Sequence, residues 1–530
     1  MKKDMKFTKR KTSWALAAVV LLLTVFTVAQ SYGATWDYYL QAGPTSIPAG
    51  TYNAAAPTVP NEKILMWGYQ ICNSTFTTCG SLTAAAHMPP AAADITPGAP
   101  TFPGPVLVAS EGDTINIHLR NNLTTAAATT AGFPSMITEP TSLIIMGQNG
   151  TALTPVWVSV DANGGVTGVT SSGSAFRPAG DVTSRVRSFN KETPANGSTV
   201  ITYTWTSLRP GTFLYETGTH PAVQAQMGLY GALKVYPTAS PVSPGVAIPI
   251  PRKQAYNDAS TAYYIDVTLV FSEVDQELHY SVGSGLYGTP PPPPPGPVVR
   301  GQRTSTVDYA PNFFLINGKP YTSTLPAIAN AGAVGSTTLL RLVNAGLKEK
   351  TPTILNPYMF ALAEDGNLYT YVNGAAVSPY TVRHTSLLLP AGKTMDATIA
   401  PTATGNLALF DRSLNLTNSN LTNGGMLTYL NVTATQTLSA DTVNITAPAA
   451  GATLTHGANK TITWTHSGDP GPVKIELIQL GVVIQTIADA AAGTAGSYSW
   501  TVPTVPPGNY KVMITTAGGS IAKTGLFTIN

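Results

Sequence analysis

The sequence predicts an all-β protein made of β-sandwich domains. Glycine and proline are frequent, at 48 and 43 of 530 residues, and charged residues make up only 10% of the chain. This composition favours short strands joined by many turns, and no long stretch has the amphipathic spacing of a helix. Apolar and polar residues alternate instead, with Ile115, Ile117 and Leu119 on one face of a predicted strand. His118 is therefore expected to be an ordinary outward-facing residue.

Residues 1–33 have the pattern of a secretory signal peptide. Basic residues precede an apolar run from Trp14 to Val28, and small residues at Ser31 and Gly33 suit cleavage after Gly33. A membrane anchor is the alternative, but the run is short for a spanning helix. Removal of this segment changes the formal charge from +3 to −2, because it holds six basic residues and one acidic residue. The sequence thus predicts an exported mature chain with no membrane span and no nucleic-acid partner.

Cys72 and Cys79 are the only cysteines, and six residues separate them. In an exported chain, a local disulfide between them is the natural interpretation. A pair of soft-metal ligands is the alternative, although no nearby residue completes such a site.

Two segments in the first half carry motifs of a known family. The first segment, Thr101–Leu123, contains two turns and the alternating strand, and it reads TFPGPVLVASEGDTINIHLRNNL. The second segment, Thr212–Lys234, contains a strand, a turn and a second strand, and it reads TFLYETGTHPAVQAQMGLYGALK. They resemble the opening and closing motifs of the first cupredoxin domain in the multicopper oxidases. In that family the closing motif carries a copper-binding histidine after its tyrosine. Glu216 stands at this position.

The second half extends this resemblance. Four segments resemble the strands of a later cupredoxin domain in the same family. They are Phe313–Tyr321, Thr338–Gly346, Phe360–Gly366 and Leu387–Ile399. The resemblance therefore implies two Greek-key cupredoxin-like sandwiches packed together.

Most copper ligands of that family are replaced in this sequence. Ile144 and Met146 occupy the two ligand positions of the family's His-x-His-Gly strand, and Phe410–Ser413 stands where a catalytic last domain carries His-Cys-His. A blue copper site needs a cysteine thiolate and two imidazoles, but no cysteine follows Cys79. The chain has seven histidines, fewer than the roughly ten of a full copper set. Laccase-like electron transfer to dioxygen is therefore not expected.

A residual metal site is the remaining copper hypothesis. Glu216, His220 and Met227 lie within one strand-turn-strand segment of the altered motif. A carboxylate, an imidazole and a thioether can together bind one copper ion weakly. The alternative is structural, with Glu216 and His220 bonded to each other or to the turn and Met227 filling the core. The sequence predicts no other cofactor.

Glu364 and Asp365 are adjacent acids of the kind that glycosidases use in pairs. Neighbouring residues on a strand point to opposite faces, however, and Asp365-Gly366 is typical of a turn. A structural role is therefore favoured.

From about Thr442 the chain changes character. Strand-like segments alternate with Gly/Pro turns at regular spacing, which predicts a small sandwich. The segment resembles the Ig-like domain of the Kre9/Knh1 type found in cell-wall and secreted proteins, with Trp464 and Trp500 as predicted core aromatics. Such modules usually space or display other domains.

Five segments are predicted along the chain. They are a signal peptide (1–33), a first cupredoxin-like domain (34–237), a linker (238–259), a second cupredoxin-like domain (260–433) and an Ig-like domain (441–530). The proline run at residues 290–295 cannot join a sheet and is predicted to form an exposed polyproline loop.

Two functions from different classes remain after these observations. The first is a non-catalytic binding or structural protein, secreted, periplasmic or at the cell surface, with a surface or extracellular partner. The second is a copper-binding oxidoreductase or copper carrier with a non-standard site. Fold does not fix function, and the missing ligands favour the first. The sequence does not identify the partner, and it leaves self-association into a homo-oligomer open.

Overall fold

The computed structural model consists almost entirely of β-strands. The structure describes residues 33–47, 63–82, 90–150, 153–161, 166–172, 183–238, 254–290, 296, 299–328, 331–373, 376–379, 381–418, 424–434, 442–467, 472–479, 482–516 and 521–530. The predicted signal peptide as far as residue 32, most of the predicted linker and residues 291–295 of the proline run lie outside them.

Helices are few and short in the described residues. The α-helices are α1 (Thr125–Ala131), α2 (Pro221–Gln224) and α3 (Gln276–Gly283). Short 3-10 helices occur at Ala92–Asp94, Ala259–Thr261 and Gly493–Ala495. None of the helices in this part of the chain is long and apolar enough to cross a membrane.

The first region, residues 33–238, is a sandwich of two main sheets. Its strands are β1 (Thr35–Ile47), β2 (Ile64–Cys72), β3 (Cys79–Leu82), β4 (Ile95–Pro97), β5 (Leu107–Ser110), β6 (Thr114–Asn121), β7 (Ile144–Ile145), β8 (Val156–Val160), β9 (Val166–Ser172), β10 (Ser184–Ser188), β11 (Val200–Trp205), β12 (Gly211–Glu216) and β13 (Tyr230–Tyr236). One sheet has the order β11-β6-β1-β2-β3-β4 and the other β5-β13-β12-β7. A separate three-stranded sheet has the order β10-β8-β9.

Burial along β6 follows the predicted alternation. Ile115, Ile117 and Leu119 are fully buried in the core between the two sheets, whereas the residues between them are half-buried. His118 lies on the outer face, where its ring nitrogens are 3.0 Å from Asp37 and 2.8 Å from the Thr202 hydroxyl. It is therefore an outward-facing, hydrogen-bonded histidine, as the sequence predicts.

The second region, residues 254–434, repeats the central strand order of the first. Its strands are β14 (Ile265–Val274), β15 (Phe313–Ile316), β16 (Thr338–Asn344), β17 (Pro352–Thr353), β18 (Met359–Glu364), β19 (Asn367–Leu368), β20 (Thr370–Asn373), β21 (Ala376–Pro379), β22 (Val382–His384), β23 (Thr394–Ile399), β24 (Gly405–Asp411) and β25 (Leu427–Val432). The main sheet runs β15-β14-β16-β23-β18-β19, with β22 also on β18, and a smaller sheet runs β17-β24-β25. The parallel pair β14/β16 sits between antiparallel neighbours, as the pair β1/β6 does in the first region.

The third region, residues 442–530, is a smaller sandwich with its own core. Its strands are β26 (Thr442–Ala447), β27 (Thr453–Leu454), β28 (Asn459–Ser467), β29 (Pro472–Gln479), β30 (Val482–Ala492), β31 (Ser497–Thr501), β32 (Gly508–Thr515), β33 (Ile521–Lys523) and β34 (Phe527–Ile529). The sheets are β26-β28-β31 and β27-β34-β32-β29-β30, with β33 on β32. Trp464 and Trp500 are buried in this core, as predicted. The predicted fold class, two cupredoxin-like sandwiches followed by an Ig-like sandwich, is confirmed, while the exact domain boundaries stay predictions.

The first two regions meet in a contact that we call the seam, where β12 and β13 pack on β14, β16 and β23. Its apolar part consists of Leu214, Tyr230 and Ala232 from the first region and Val270, Val343 and Ala345 from the second. All nine residues of β2 are buried as well, because the second region covers the face of this strand that the first core leaves open.

Buried charges form the polar part of the seam. Arg341 is fully buried, with Nε 2.6 Å from Asp266 Oδ2 and Nη1 3.7 Å from Asp396 Oδ2. Across the seam, Arg341 donates to the Thr212 hydroxyl at 3.0 Å, and Lys234 lies 3.4 Å from Asp266. Burial acts against ionisation of Asp266, but the charges of Lys234 and Arg341 lower its pKa to about 2. The carboxylate is therefore ionised and paired at neutral pH.

Two glycines let the backbones of the two regions approach closely beside these charges. A Cβ atom on Gly211 would lie 2.7 Å from the Cα atom of Gly366, and both residues have positive φ angles. Any side chain at residue 211 would push the regions apart.

We predict that Arg341→Met destabilises the first two regions by about 3–5 kcal/mol, because the change leaves Asp266 and Asp396 buried without their cation. Urea unfolding followed by tryptophan fluorescence measures the loss. Lys393→Met is the matched control. Its ion pairs with Glu364 and Asp365 are partly exposed, so the expected loss is about 1 kcal/mol or less. Equal losses in the two variants would contradict a special role for the buried network.

Candidate functional site

The altered copper motif folds as strand, turn, short helix and strand. β12 ends at Glu216, the turn leads to His220 at the start of α2, and β13 begins at Tyr230. β12 pairs with β13 on one side and with β7 on the other, so that Glu216 lies opposite Tyr230 and Ile144. The position of the expected histidine ligand is thus enclosed by an aromatic and an aliphatic neighbour.

Glu216 lies in an environment that disfavours its charge. Burial raises the pKa of its carboxyl to about 7. The alternation of β12 places Glu216 on the same face as Thr212 and Leu214, which is the seam side of the strand. The residue therefore titrates near neutral pH at the edge of the seam.

His220 is held by a different acid. Its Nδ1 lies 3.3 Å from both carboxylate oxygens of Glu139, and its backbone has the left-handed conformation, with φ of 43°. Burial opposes ionisation of Glu139, but the hydrogen bond and charge of His220 together with the Gln224 amide keep the pKa of this carboxyl below its usual value. The imidazole is therefore engaged with the Glu139 carboxyl group.

Met227 belongs to the core of the first region. It is fully buried within that apolar cluster, and its carbonyl accepts a hydrogen bond from the Trp67 amide at 2.7 Å. The structure thus gives each proposed donor different neighbours: the seam for Glu216, Glu139 for His220 and the core for Met227. The copper site built from these three residues stays a prediction.

Buried hydroxyl groups connect the turn of the motif to the rest of the first region. The Thr219 hydroxyl lies 3.0 Å from the Ser142 hydroxyl and 2.8 Å from the Ser188 hydroxyl, and the two serine hydroxyls are 2.9 Å apart. All three side chains are buried. Ser188 also donates to the Asn190 carbonyl at 2.6 Å.

A second set of bonds continues this network towards α2. Thr217 donates to the Gln224 amide oxygen at 2.8 Å and lies 3.2 Å from the Thr141 hydroxyl. The Gln224 nitrogen donates to Glu139 at 3.1 Å and to the Pro140 carbonyl at 2.9 Å. We call the residues Thr141, Ser142, Ser188, Thr217, Thr219 and Gln224 the hydroxyl network. Their hydrogen bonds join the turn of the motif to neighbouring segments of the first region.

The other positions where the sequence resemblance places copper ligands hold a partly exposed methionine and a buried, hydrogen-bonded aspartate. Met146 is about half exposed, at 47%. Asp411, in the segment Phe410–Ser413, is fully buried and accepts hydrogen bonds from the Thr351 amide at 2.7 Å and the Asn415 side chain at 2.6 Å. Its carboxylate anchors a turn. Neither residue supplies the thiolate or imidazole that a blue copper site requires, and the Asp411 carboxylate is already hydrogen-bonded.

Across the described residues, no group of three or more His, Cys, Asp or Glu side chains has an arrangement that could hold a metal ion. Cys72 and Cys79 form a disulfide between directly opposed positions of β2 and β3. Their sulfur atoms are thus bonded to each other.

The adjacent acids Glu364 and Asp365 both contact Lys393, at 2.7 and 2.6 Å. The expectation that they point apart is wrong, because Asp365 adopts a left-handed turn conformation that brings its carboxylate back to the same lysine. Their engagement with one cation still agrees with a structural role.

Some of these features had a signal in the sequence and others had none. Arg341 interrupts the apolar run TLLRLVNAG, and a lone charge in a buried strand indicates a paired, buried ion. The hydroxyl network is different, since Ser142 and Thr219 are 77 residues apart. No local pattern predicts that such residues meet.

The C-terminal region matches a known protein family. Residues 447–529 match the family described as the Kre9/KNH-like N-terminal Ig-like domain. No curated protein matches the chain in sequence.

Solved structures of copper proteins are similar to this chain at low identity. A blue copper oxidase from Nitrosomonas europaea is 15% identical over 75% of this chain and 86% of its own, with a TM-score of 0.41. A multi-copper oxidase from Pseudomonas thermotolerans is 14% identical over 94% of this chain and 100% of its own, with a TM-score of 0.39. A Cu-containing nitrite reductase from Thermus scotoductus is 11% identical over 94% and 99%, with a TM-score of 0.39.

We predict that Glu216→Gln stabilises the protein at pH 8 by about 2 kcal/mol and has little effect near pH 4.5. The folded-state pKa of Glu216 is raised, so its penalty is absent below the unfolded-state pKa, grows as the pH rises from that value to about 7, and is complete above it. Thermal unfolding at several pH values measures the difference. Glu277→Gln, at a more exposed carboxyl paired with Arg300, should show no such stabilisation at pH 8. A destabilised Glu216→Gln protein at pH 8 would refute this account.

Proposed function

We propose that this chain is an exported, non-catalytic binding or structural protein of the cell surface, which keeps a cupredoxin-like scaffold without the copper chemistry. The hydroxyl network carries this proposal. Thr217 and Thr219, in the turn of the altered motif, bond to Thr141, Ser142 and Ser188 in the fully buried interior. The motif therefore uses its polar atoms to hold the loop in place.

The replaced ligand positions support the same conclusion. Asp411 holds a turn through hydrogen bonds, and Glu216 lies between Ile144 and Tyr230. A blue copper centre depends on a thiolate for its geometry and potential, and the two cysteines of this chain are joined to each other.

The C-terminal region supports a surface location. The match at residues 447–529 is to an Ig-like domain, and this sandwich has a core of its own around Trp464 and Trp500. A small autonomous sandwich after two larger ones suits a module that spaces or displays its neighbours, as the sequence resemblance implies.

The competing function is a copper carrier or oxidoreductase that uses Glu216, His220 and Met227. For these residues to bind one ion, the Met227 thioether, which is fully buried in the first-region core, would have to become accessible to the metal. This change costs free energy before any metal bond forms. The copper-binding experiment below decides between the two functions.

We predict that the purified mature protein, incubated with excess Cu(II) and then desalted, retains well below one copper per chain. It should show no strong absorption band near 600 nm and consume no oxygen with a phenolic electron donor, since no thiolate is available. Elemental analysis, absorption spectroscopy and an oxygen electrode give the three readouts.

One bound copper per chain that is lost in His220→Ala would establish the carrier function in place of the proposed one. A band near 600 nm or oxygen consumption would instead establish an oxidoreductase. Glu139→Gln is the matched control, because it removes the partner of His220 and leaves all three proposed ligands intact.

We also predict that native material begins near Ala34 and contains no free thiol. Intact-mass spectrometry with and without reduction, after labelling with a thiol reagent, measures both properties. An uncleaved N-terminus with two labelled cysteines would contradict export and favour a reducing compartment.

A further inference from the structure

The third region has both protected and unprotected sheet edges. β26 and β30 are edge strands whose pairing with their neighbours contains register shifts. Such bulges bend a strand and hinder its pairing with another chain. β31 is also an edge strand, but it pairs with β28 without a register shift over all five of its residues. β31 contains no proline and no charged residue either. It therefore lacks the features that prevent an edge strand from accepting a further strand.

The backbone of β31 alternates between groups that face β28 and groups that face away from it. The Val502 amide donates to the Ala458 carbonyl at 3.0 Å, so Val502 occupies a hydrogen-bonded position of this antiparallel pair. Hydrogen-bonded positions recur at every second residue of such a pair. The residues between them direct their N–H and C=O groups outward. These outward residues are Ser497, Ser499 and Thr501.

The outward residues present a row of main-chain groups that have no partner in the described part of the chain. β31 pairs with β28 alone, and no other described residue bonds to the outward N–H and C=O groups. The side chains of all three outward residues are exposed while the first and second regions are present. A row of this kind is a template for a further strand.

The outward row is symmetric about Ser499. In an antiparallel pair of two copies with the two-fold axis at Ser499, Ser497 of one copy lies opposite Thr501 of the other. Ser499 then lies opposite its own counterpart. Every outward residue faces an outward residue, and each such pair exchanges two hydrogen bonds. A shift of the register by one or two residues leaves outward groups without partners. The strand therefore specifies one way of pairing with itself.

The side chains of β31 are complementary in the same register. On the exposed face, the hydroxyl groups of Ser497 and Thr501 meet across the new strand pair, and such pairs stabilise sheets. On the other face, Tyr498 lies opposite Trp500, and aromatic pairs also stabilise neighbouring strands. No charged residue occurs from residue 490 to residue 510. Two copies of the strand therefore meet without repulsion between like charges.

We propose that two copies of this chain associate through β31, which joins the sheet β26-β28-β31 of each copy into one continuous antiparallel sheet. A second copy fits better than an unrelated strand, because the row matches itself in symmetry, in hydroxyl pairs and in charge. Two five-residue strands bury less surface than the roughly 1,200 Å² of a standard interface, so the dimer is weak and depends on concentration. The association uses the third region alone and is independent of copper binding.

The first test follows the mature protein by analytical ultracentrifugation from about 1 µM to about 1 mM, the range of weak interfaces. The sedimentation coefficient of the wild type should rise with concentration towards that of a dimer. Ser499→Pro removes the central outward N–H group, which β28 does not use, and proline is tolerated at such positions of an edge strand. This variant should stay folded and dimerise about tenfold or more weakly.

A charge exchange tests the register. Ser499→Lys places two lysines directly opposite each other and should weaken dimerisation by about tenfold or more, as should Ser499→Glu with two glutamates. An equimolar mixture of these variants pairs lysine with glutamate and should associate at least as well as the wild type. Thr461→Lys is the matched control, because it adds the same charge to the same exposed face one strand away from the edge. Its lysines would lie roughly 14 Å apart in the dimer, beyond the screening length, so it should dimerise as the wild type does.

Three results would overturn the proposal. A wild type that stays monomeric throughout this range would leave the edge to a strand of another protein. A Ser499→Lys variant that dimerises as well as the wild type would place the contact on another surface. A mixture of the two charge variants that stays monomeric would contradict the register. Circular dichroism checks that each variant is folded, and none of these results alters the copper-retention measurement.

Discussion

The burial of the Arg341 guanidinium is the constraint on which the two-sandwich architecture depends. A guanidinium out of water costs several kcal/mol unless acids and hydroxyls surround it in good geometry. Its partners come from both sides of the seam, since Asp266 and Asp396 belong to the second region and Thr212 to the first. Lys234 adds a cation from the first region. The observed contact between the two sandwiches therefore brings the Thr212 hydroxyl and the Lys234 cation to the acids and the guanidinium of the second region.

β12 links this constraint to the altered copper motif. Phe213 and Tyr215 on one face fill the first core, whereas Thr212 and Leu214 on the other form the seam. The strand then runs into Glu216 and the hydroxyl network. The strand that ends at Glu216 thus takes part both in the first core and in the packing of the two regions. The buried hydroxyls supply rigidity that does not depend on a cofactor.

The sequence predicts most of the fold because the fold follows local patterns. The alternation in β6 identified buried Ile115 and outward His118 correctly. β2 could not be read in this way, since both of its faces are covered and all nine residues are buried. The hydroxyl network and the partners of Arg341 both depend on contacts between distant segments. A pattern of period two carries no information about them.

The repeated strand order of the first two regions has a consequence for how the chain can be divided. Each of these two regions contains the sheet order of a complete sandwich. Each also presents one side of the seam, and the apolar residues there would be exposed to water if the regions separated. Cleavage of the chain between residues 238 and 254 is therefore expected to leave two fragments that stay associated through the seam. In that sense the first two regions resemble two subunits of a complex joined by a covalent tether.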